Sequence, residues 1–247
     1  MLGLPDGVRA CLFDLDGVLT QTAKVHAAAW KQMFDEFLRS RAGASGGRFV
    51  PFDEAADYDE YVDGKPRADG VRSFLASRKI ELPEGAPDDP PKRDTVAGLG
   101  NRKNQIVLRL IHEQGVAPYE GSVRYVEAAR AAGLRRAVVS SSTNCRDVLR
   151  AASIEELFEA RIDGHVAEQE HLHGKPAPDT FLAGARALGM EASEAAVFED
   201  AEAGVEAGRA GGFAFVVGVD RVGHADELRE HGADVVVDDL ADLLRER

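Results

Sequence analysis

The chain has 247 residues, of which 44% are hydrophobic and 30% are charged, and its formal net charge is −13. A chain of this length can bury a full core and carry an insert. Its negative charge excludes nucleic acids and anionic membranes as partners. No apolar run approaches the ~18 residues that span a membrane. Cys11 and Cys145 are too few for a disulfide framework and the N-terminal residues lack a secretion pattern, so we expect a cytoplasmic location.

The first predicted element is a short buried strand over residues 10–13, which runs directly into Asp14, Asp16 and Gly17. Open α/β sheets bind ligands at the carboxyl ends of their strands, and residues two apart along an extended chain point to the same side. Two neighbouring carboxylates suit Mg²⁺, and one of them can attack phosphorus while the other transfers a proton. The alternative is an acidic turn that only closes a core strand.

The segment from 23 to 115 shows helical periodicity and no strand pattern. Predicted helices lie at 22–38, 58–62, 70–77 and 103–113, and predicted loops lie at 39–52 and 83–95. The simplest arrangement is an all-helical insert between two parts of an α/β domain.

After Pro118 the predicted helices and strands alternate. Strands are predicted at 136–140, 160–163, 195–199, 213–218 and 234–237, and helices at 122–132, 145–152 and 178–188. Parallel strands need a crossover between them, and a helix usually supplies it. The pattern therefore predicts a doubly wound parallel sheet.

A hydroxyl-rich stretch, Ser140, Ser141 and Ser142, follows the second predicted strand and comes just before a helix that begins near Asn144. Hydroxyls and backbone N–H groups at such a position can bind an anion. The same residue types are also ordinary N-caps, which is the alternative for this stretch on its own.

Two further motifs carry charge at the same predicted edge of the sheet. Lys175 stands before a helix that starts with a proline, where its ammonium group can stabilise a transferring phosphoryl group. Glu199 and Asp200 close the strand over 195–199 and can complete a Mg²⁺ site. The alternatives are a surface lysine and acidic residues that compensate a helix dipole.

In this order the four motifs resemble those of the haloacid dehalogenase (HAD) superfamily, whose first aspartate becomes an aspartyl phosphate. Within it the chain is similar to the β-phosphoglucomutase family, on residues 14–20, 64–67, 102–104, 175–179 and 199–200 together with Thr22, His26 and Trp30. The resemblance implies an α/β fold with a HAD-type doubly wound parallel-sheet core, residues 1–20 and 119–247, and an inserted all-helical cap domain, residues 21–118.

The resemblance also implies a role for each motif residue. Asp14 is expected to be the nucleophile and a Mg²⁺ ligand, and Asp16 the general acid and base, with its backbone carbonyl on the metal. Glu199 and Asp200 are expected to complete the metal site. The residues expected to bind the phosphate in the core are Ser140, Ser141, Ser142, Asn144 and Lys175.

In the cap the resemblance assigns substrate or phosphate binding to Thr22, His26, Trp30, Gly64, Arg67 and Lys103. Arg67 fits a bidentate clamp for the non-reacting phosphate, and His26 and Lys103 fit machinery that couples cap closure to the alignment of Asp16. The alternatives are a polar-face histidine, a solvated loop arginine and, for Trp30, a position in the core.

The expected activity is that of the β-phosphoglucomutase family, which interconverts β-D-glucose 1-phosphate and glucose 6-phosphate through glucose 1,6-bisphosphate. A Mg²⁺-dependent phosphatase of a small phosphate ester is the alternative, and a catalytically silent binding protein is a third hypothesis that the intact motifs oppose. The predicted partner is a small-molecule sugar phosphate, and the chain is predicted to be a monomer. Loops near 43–47 and 83–91 enlarge the cap and leave the exact sugar open.

Overall fold

The structure is a computed structural model that describes residues 2–46 and 48–244. Gly47, in the predicted loop near 43–47, and Met1 and residues 245–247, in the predicted core, lie outside the described residues. The chain forms two compact units. Unit 1 comprises Met1–Gln21, Gly64–Pro66 and Val116–Arg247, and unit 2 comprises Thr22–Asp63 and Arg67–Gly115. The short segment at 64–66, which the sequence places in the insert, therefore groups with unit 1.

Unit 1 is built on a six-stranded sheet in which all neighbouring strands are parallel. The strands are β1 (Ala10–Phe13), β2 (Arg135–Val139), β3 (Ala160–Ile162), β4 (Ala195–Glu199), β5 (Phe215–Val219) and β6 (Val235–Val237). Their spatial order is β3-β2-β1-β4-β5-β6. This order confirms the predicted doubly wound sheet, and each strand lies where the sequence predicts it.

The order of the strands reverses at β1, which lies between β2 and β4. Phe13, the last residue of β1, is opposite Val138 on β2 and Phe198 on β4. Asp14 comes next, and its N–H donates to the carbonyl of Phe198 at 2.9 Å. Asp14 therefore lies beside the end of β4, at the switch point where open α/β sheets bind ligands.

Unit 2 is all-helical within the described residues, as predicted. Its helices are α1 (Ala23–Ser45), α2 (Ala56–Tyr61), α3 (Arg67–Ser77) and α4 (Val96–Gln114). Aromatic rings fill its core, where Phe34 stacks on Trp30 at 5.3 Å and on Phe52 at 5.4 Å between ring centres. Such contacts bury large apolar areas and hold the helices together.

The end of α1 corrects the predicted loop over 39–52. The helix continues to Ser45, and Arg39, which was predicted to lie in the loop, forms an ion pair one turn away with Asp35 at 3.4 Å. It ends only at Gly46, whose φ of +67° is the left-handed conformation typical of a helix C-terminus. The first half of the predicted loop was therefore wrong.

The start of α4 lies at Val96 rather than near Lys103. The hydroxyl of Thr95 accepts the N–H of Gly98 at 3.0 Å and caps the helix, and it donates to Asp89 at 2.7 Å. The helix therefore includes two glycines, Gly98 and Gly100, that lie before the predicted helix and after the predicted loop. The loop predicted before it, over 83–95, contains no helix or strand in the structure.

Helices cover the sheet of unit 1. They are α5 (Glu120–Ala131), α6 (Cys145–Ala151), α7 (Gly164–Gln169), α8 (Asp179–Ala187), α9 (Glu202–Ala210) and α10 (Ala225–Glu230), with short 3₁₀ turns at Glu155–Leu157, Ala192–Glu194 and Leu240–Leu244. The short helices α7 and α10 were not predicted. α7 is set by Asp163, whose carboxylate accepts the N–H groups of His165 and Val166 at 3.1 Å each. Across the described ranges, no helix combines the length and the apolar character needed to cross a membrane.

Candidate active site

Lys175 is buried between two carboxylates at the switch point of the sheet. Its ammonium group donates to Oδ1 of Asp14, to Oε1 of Glu199 at 2.5 Å and to the carbonyl of Val139 at 3.4 Å. Lys175 is 3% exposed and Glu199 is fully buried. Because an isolated buried charge is strongly unfavourable, each of these three charged groups depends on the other two.

The buried trio has shifted protonation equilibria. Burial raises the pKa of Glu199 to about 7 and also raises the pKa of Asp14, and the ammonium of Lys175 opposes both shifts. Burial acts to lower the pKa of Lys175, but the two carboxylates outweigh it and raise that pKa. Lys175 is therefore charged at neutral pH, whereas Glu199 titrates near neutrality.

The residues that follow β1 form a closed loop that presents Asp16. The N–H of Asp16 donates to Oδ2 of Asp14 at 2.9 Å, and the N–H of Gly17 donates to the carbonyl of Thr20 at 2.8 Å. Gly17 has a φ of +85°, and a Cβ at this position would overlap the carboxylate of Asp200. Only glycine allows this approach, so Asp200 lies directly against the loop that carries Asp16.

The three serines after β2 use their hydroxyls differently. Oγ of Ser140 accepts the N–H of Ser142 at 3.1 Å, and Oγ of Ser142 accepts the N–H of Asn144 at 3.1 Å. A hydroxyl that accepts one bond still has its own proton to donate, which is compatible with the predicted contacts to phosphate. The hydroxyl of Ser141 instead donates to the carbonyl of Gly64 at 2.9 Å.

Gly64 lies among the loops that carry the other motifs of unit 1. Besides its bond to Ser141, a Cβ at Gly64 would lie 3.2 Å from the Cβ of Ala201, the residue after Asp200. A Cβ at Gly174, the residue before Lys175, would overlap the ring of Pro66. The 64–66 segment is therefore packed closely against the candidate site.

In unit 2 the structure brings His26, Lys103 and Trp30 together. Nζ of Lys103 lies 3.0 Å from Nδ1 of His26 and 4.7 Å from the centre of the Trp30 ring. Burial, and then the nearby ammonium, hold the pKa of His26 well below its ordinary value, so the imidazole is neutral at pH 7 and can accept from the lysine. Trp30 is 3% exposed and belongs to the aromatic core, which matches the alternative that the sequence left open.

The other two predicted residues of unit 2 lie at helix starts. Arg67 is the first residue of α3, and its side chain lies against α4. A Cβ at Gly100 of α4 would lie 3.5 Å from Cγ of Arg67. Thr22 is 1% exposed and precedes α1, and its carbonyl accepts the N–H of His26 at 2.9 Å. Thr22 is therefore the N-cap residue of the helix that carries His26.

The edge formed by β1 and β4 offers oxygen donors to a divalent cation. In the part of the chain that the structure describes, no three His, Cys, Asp or Glu side chains form a metal-binding group. Mg²⁺ requires fewer, because it takes one or two carboxylates and completes its shell with waters and phosphate oxygens. Asp14, Asp200 and the backbone carbonyl of Asp16 are hard oxygen donors at one edge, so the residues present fit Mg²⁺.

Glu199 is placed differently from the other predicted metal ligands. Its Oε1 accepts from Lys175 and its Oε2 accepts the N–H of Ala201 at 2.8 Å. A Cβ at Gly204 would overlap its carboxyl group, so the helix after β4 closes tightly around it. Both oxygens of Glu199 are therefore bonded to the protein.

Two residues that contact the Asp16 loop were missed by sequence reasoning. Nε of Arg221 donates to the carbonyl of Gly17 at 3.1 Å, and the hydroxyl of Ser122 donates to the carbonyl of Val18 at 2.6 Å. The position of Arg221, two residues after β5 at the same edge of the sheet, is a weak indication of such a role. Ser122 stands in the first turn of α5, and no sequence pattern distinguishes it.

Comparison with known proteins identifies the family. A family model described as haloacid dehalogenase-like hydrolase matches residues 8–212. The chain is 59% identical over 247 residues to a protein of Mycobacterium bovis named β-phosphoglucomutase, covering 99% of this chain and 94% of that protein. It is 30% identical to β-phosphoglucomutase of Bacillus subtilis, covering 97% and 93% of the two chains. The chain therefore belongs to the haloacid dehalogenase-like hydrolase family, in its β-phosphoglucomutase-like branch.

A solved structure confirms the fold. The crystal structure of β-phosphoglucomutase from Clostridium difficile matches this chain with a TM-score of 0.74 at 24% identity, covering 96% of this chain and 93% of that one. The predicted α/β architecture with its helical insert is therefore confirmed.

Proposed function

We propose that the protein is a Mg²⁺-dependent phosphoryl-transfer enzyme that interconverts β-D-glucose 1-phosphate and glucose 6-phosphate. The observation that carries this proposal is the buried ammonium of Lys175, bonded to Asp14 at the switch point. A cation that is already desolvated and fixed can stabilise a transferring phosphoryl group without reorganisation. The 59% identical relative named β-phosphoglucomutase supports this sugar phosphate as the substrate.

The first half-reaction uses Asp14 and Asp16 together. A carboxylate oxygen of Asp14 attacks phosphorus of the bisphosphorylated sugar, the bond between phosphorus and the sugar oxygen breaks, and Asp16 donates a proton to that oxygen. The hydrogen bond from the backbone N–H of Asp16 to Oδ2 of Asp14, at 2.9 Å, supports this pairing because it fixes the backbone of the proposed acid next to the nucleophile.

The second half-reaction reverses these roles. A hydroxyl of the sugar monophosphate attacks phosphorus of the aspartyl phosphate, Asp16 takes the hydroxyl proton, and the bond from phosphorus to Asp14 breaks. Lys175 and the hydroxyls of Ser140 and Ser142 bind the phosphoryl oxygens throughout.

We propose Asp14, Asp200 and the carbonyl of Asp16 as the groups that hold Mg²⁺. When bound, this ion neutralises charge on the phosphoryl oxygens. For Glu199 the predicted metal contact stays a prediction, and its bonds support a second role, in which it holds the ammonium of Lys175 in place.

The insert is proposed to be a cap domain that makes the enzyme a mutase instead of a phosphatase. A mutase must bind a second, non-reacting phosphate and keep water away from the aspartyl phosphate. Arg67 is proposed as the clamp for that phosphate, since a guanidinium can donate two parallel bonds to it. The buried contact between His26 and Lys103 supports a role for this pair in holding the helices of the cap in register.

A coupled assay tests the proposal. The protein is incubated with β-glucose 1-phosphate, Mg²⁺ and a trace of glucose 1,6-bisphosphate, and glucose 6-phosphate and inorganic phosphate are measured in parallel. Glucose 6-phosphate accumulating with little free phosphate is the expected result, whereas steady release of phosphate would make the protein a phosphatase. Asp14→Asn, with the same fold by circular dichroism, is expected to lose at least about 10⁴-fold in kcat, because the nucleophile is removed.

Arg67 and Arg72 provide a matched pair on the same helix. Arg72 forms surface bonds to Glu84 and Asp69, and its replacement by alanine is expected to leave the kinetics unchanged. Arg67→Ala is expected to lower kcat/KM of the mutase reaction by about 10- to 100-fold, the loss typical of a charge-assisted bidentate contact. Equal kinetics in the two variants would refute the role of Arg67.

The proposal also includes a cytoplasmic location and a monomeric state for the protein.

A further inference from the structure

The conformation of the loop from Asp14 to Thr20 determines two contacts of the candidate site. It presents Asp16 next to Asp14, and its Gly17 lies against the carboxylate of Asp200. Internal bonds close part of this loop. The N–H of Gly17 donates to the carbonyl of Thr20 at 2.8 Å, and the hydroxyl of Thr20 donates to the carbonyl of Leu15 at 3.1 Å. The carbonyls of Gly17 and Val18 take no part in these two bonds and accept from donors outside the loop.

Arg221 and Ser122 supply those donors. Nε of Arg221 donates to the carbonyl of Gly17 at 3.1 Å, and Oγ of Ser122 donates to the carbonyl of Val18 at 2.6 Å. The two side chains are also joined, because Nη2 of Arg221 donates to Oγ of Ser122 at 3.3 Å. Two consecutive carbonyls directly after Asp16 are therefore held by one connected pair of side chains.

Arg221 is itself fixed from several sides. Its Nη1 donates to the carbonyl of Asp238 at 2.6 Å and to Oδ2 of Asp239 at 3.1 Å, and its guanidinium lies 3.7 Å from the centre of the Tyr119 ring. The side chain of Arg221 is 13% exposed. A guanidinium with this many partners has little freedom to move. Arg221 therefore holds the loop in a fixed position relative to β5, α5 and residues 238–239.

From this geometry we infer that Arg221, with Ser122 as its partner, is a positioning residue for the phosphoryl transfer, holding the loop that aligns Asp16 with Asp14 and Asp200. The inference rests on the proposed roles of these aspartates. Arg221 does not contact the reacting atoms. It acts through the backbone carbonyl of Gly17, and a displacement of about 1 Å in a reacting group is enough to slow a reaction by about 10²-fold.

The competing account is a purely structural clamp, and Arg136 provides the matched control. Arg136 lies at the opposite, amino end of the sheet, is 6% exposed, and likewise bonds backbone carbonyls and a carboxylate, those of Leu134, Leu157 and Glu159. A structural role predicts that Arg221→Gln and Arg136→Gln lower the midpoint of unfolding and leave kcat of the folded enzyme alone.

The experiment compares Arg221→Gln, Arg221→Lys, Ser122→Ala and Arg136→Gln well below their unfolding midpoints, with kcat normalised to the folded fraction. For Arg221→Gln we expect kcat to fall about 10- to 100-fold while KM for the sugar phosphate stays within about twofold. Arg221→Lys is expected to recover part of kcat, because one ammonium can still donate to the Gly17 carbonyl. Arg136→Gln is expected to keep the wild-type kcat.

Two outcomes would overturn the inference. One is a kcat for Arg221→Gln within about twofold of the wild type, and the other is a change in KM alone. If Arg221→Gln does not fold, Ser122→Ala decides, with a fall in kcat of about threefold or more expected and an unchanged kcat contradicting the inference. A wild-type enzyme that releases phosphate would refute the proposed mutase activity only, since the same variants can then be compared on phosphate release.

Discussion

Replacement of Lys175 by methionine tests whether charge compensation holds the buried trio of Lys175, Asp14 and Glu199 together. Methionine keeps most of the apolar stem and removes the ammonium, together with its contact to the Phe181 ring, whose centre lies 4.9 Å from Nζ. Two carboxylates that are at most 7% exposed then lose their shared cation. Removing one partner of a buried ion pair destabilises a protein by about 3–5 kcal/mol, so a loss of this size is expected at neutral pH.

The pH dependence of that loss follows from the pKa of Glu199. In the wild type burial raises this pKa from 4.5 to about 7, so the folded state binds more protons than the unfolded state between these values. The free energy of unfolding therefore falls as pH rises from 4.5 to about 7, and this effect is complete above about pH 7. Without Lys175 the pKa of Glu199 rises further, so the variant continues to lose ~1.4 kcal/mol per pH unit above about pH 7 for each carboxyl that still titrates.

Urea unfolding of both proteins, followed by circular dichroism from about pH 6 to about pH 9, measures this difference. Glu199→Gln, alone and combined with Lys175→Met, is the control, because it removes one of the two carboxylates. The Lys175 substitution is expected to be at least about 1 kcal/mol less destabilising in the Glu199→Gln background. A difference between wild type and Lys175→Met that does not change with pH would refute the reasoning and assign the loss to packing.

Three further predictions concern single contacts. Gly17→Ala is expected to reduce kcat and to destabilise the fold by more than Gly7→Ala. Both glycines have a positive φ (+85° and +95°), but of the two only a Cβ at Gly17 overlaps a neighbour, Asp200. Equal effects would show that backbone strain alone is responsible. Thr95→Ala is expected to lower the free energy of unfolding by about 1 kcal/mol through loss of the α4 cap, and Thr95→Ser to restore most of it in the same urea titration. Ser141→Ala is expected to lower stability by about 1 kcal/mol by removing the bond to Gly64, and a fall in kcat as large as that of Ser140→Ala would contradict this structural role.

The fold could be predicted because its strands are short and mostly apolar, and because the central strands β1 and β4 are buried on both faces. Each run such as 10–13 or 195–199 stands out against the polar helices around it, and parallel connectivity then follows from the helices between the strands. The helix ends that were predicted wrongly are set by local features that apolar periodicity does not report. α1 ends only at Gly46, which is in a left-handed conformation, and the hydroxyl of Thr95 caps the start of α4.

The candidate site could be predicted to the extent that its residues are side chains at the ends of strands. The register places Asp14 beside the end of β4, as the motifs implied. Arg221 and Ser122 escaped because they act on backbone carbonyls, which every residue has, and because their partners are about 100 or more positions away in the chain. The use of both Glu199 oxygens by the protein likewise depends on the path of the chain at Ala201.

The charges at the site explain why its cation cannot be Lys175 alone. The chain carries a net charge of −13, which repels an anionic sugar phosphate at long range. Lys175 is bonded to Asp14, but two carboxylates already share its ammonium group, so the trio carries one excess negative charge when both carboxyls are ionised. Asp16 and Asp200 add further negative charge at the same edge. A divalent cation and protonation of Glu199 both reduce this excess negative charge, so the proposed Mg²⁺ and the raised pKa of Glu199 both favour the approach of a phosphate dianion.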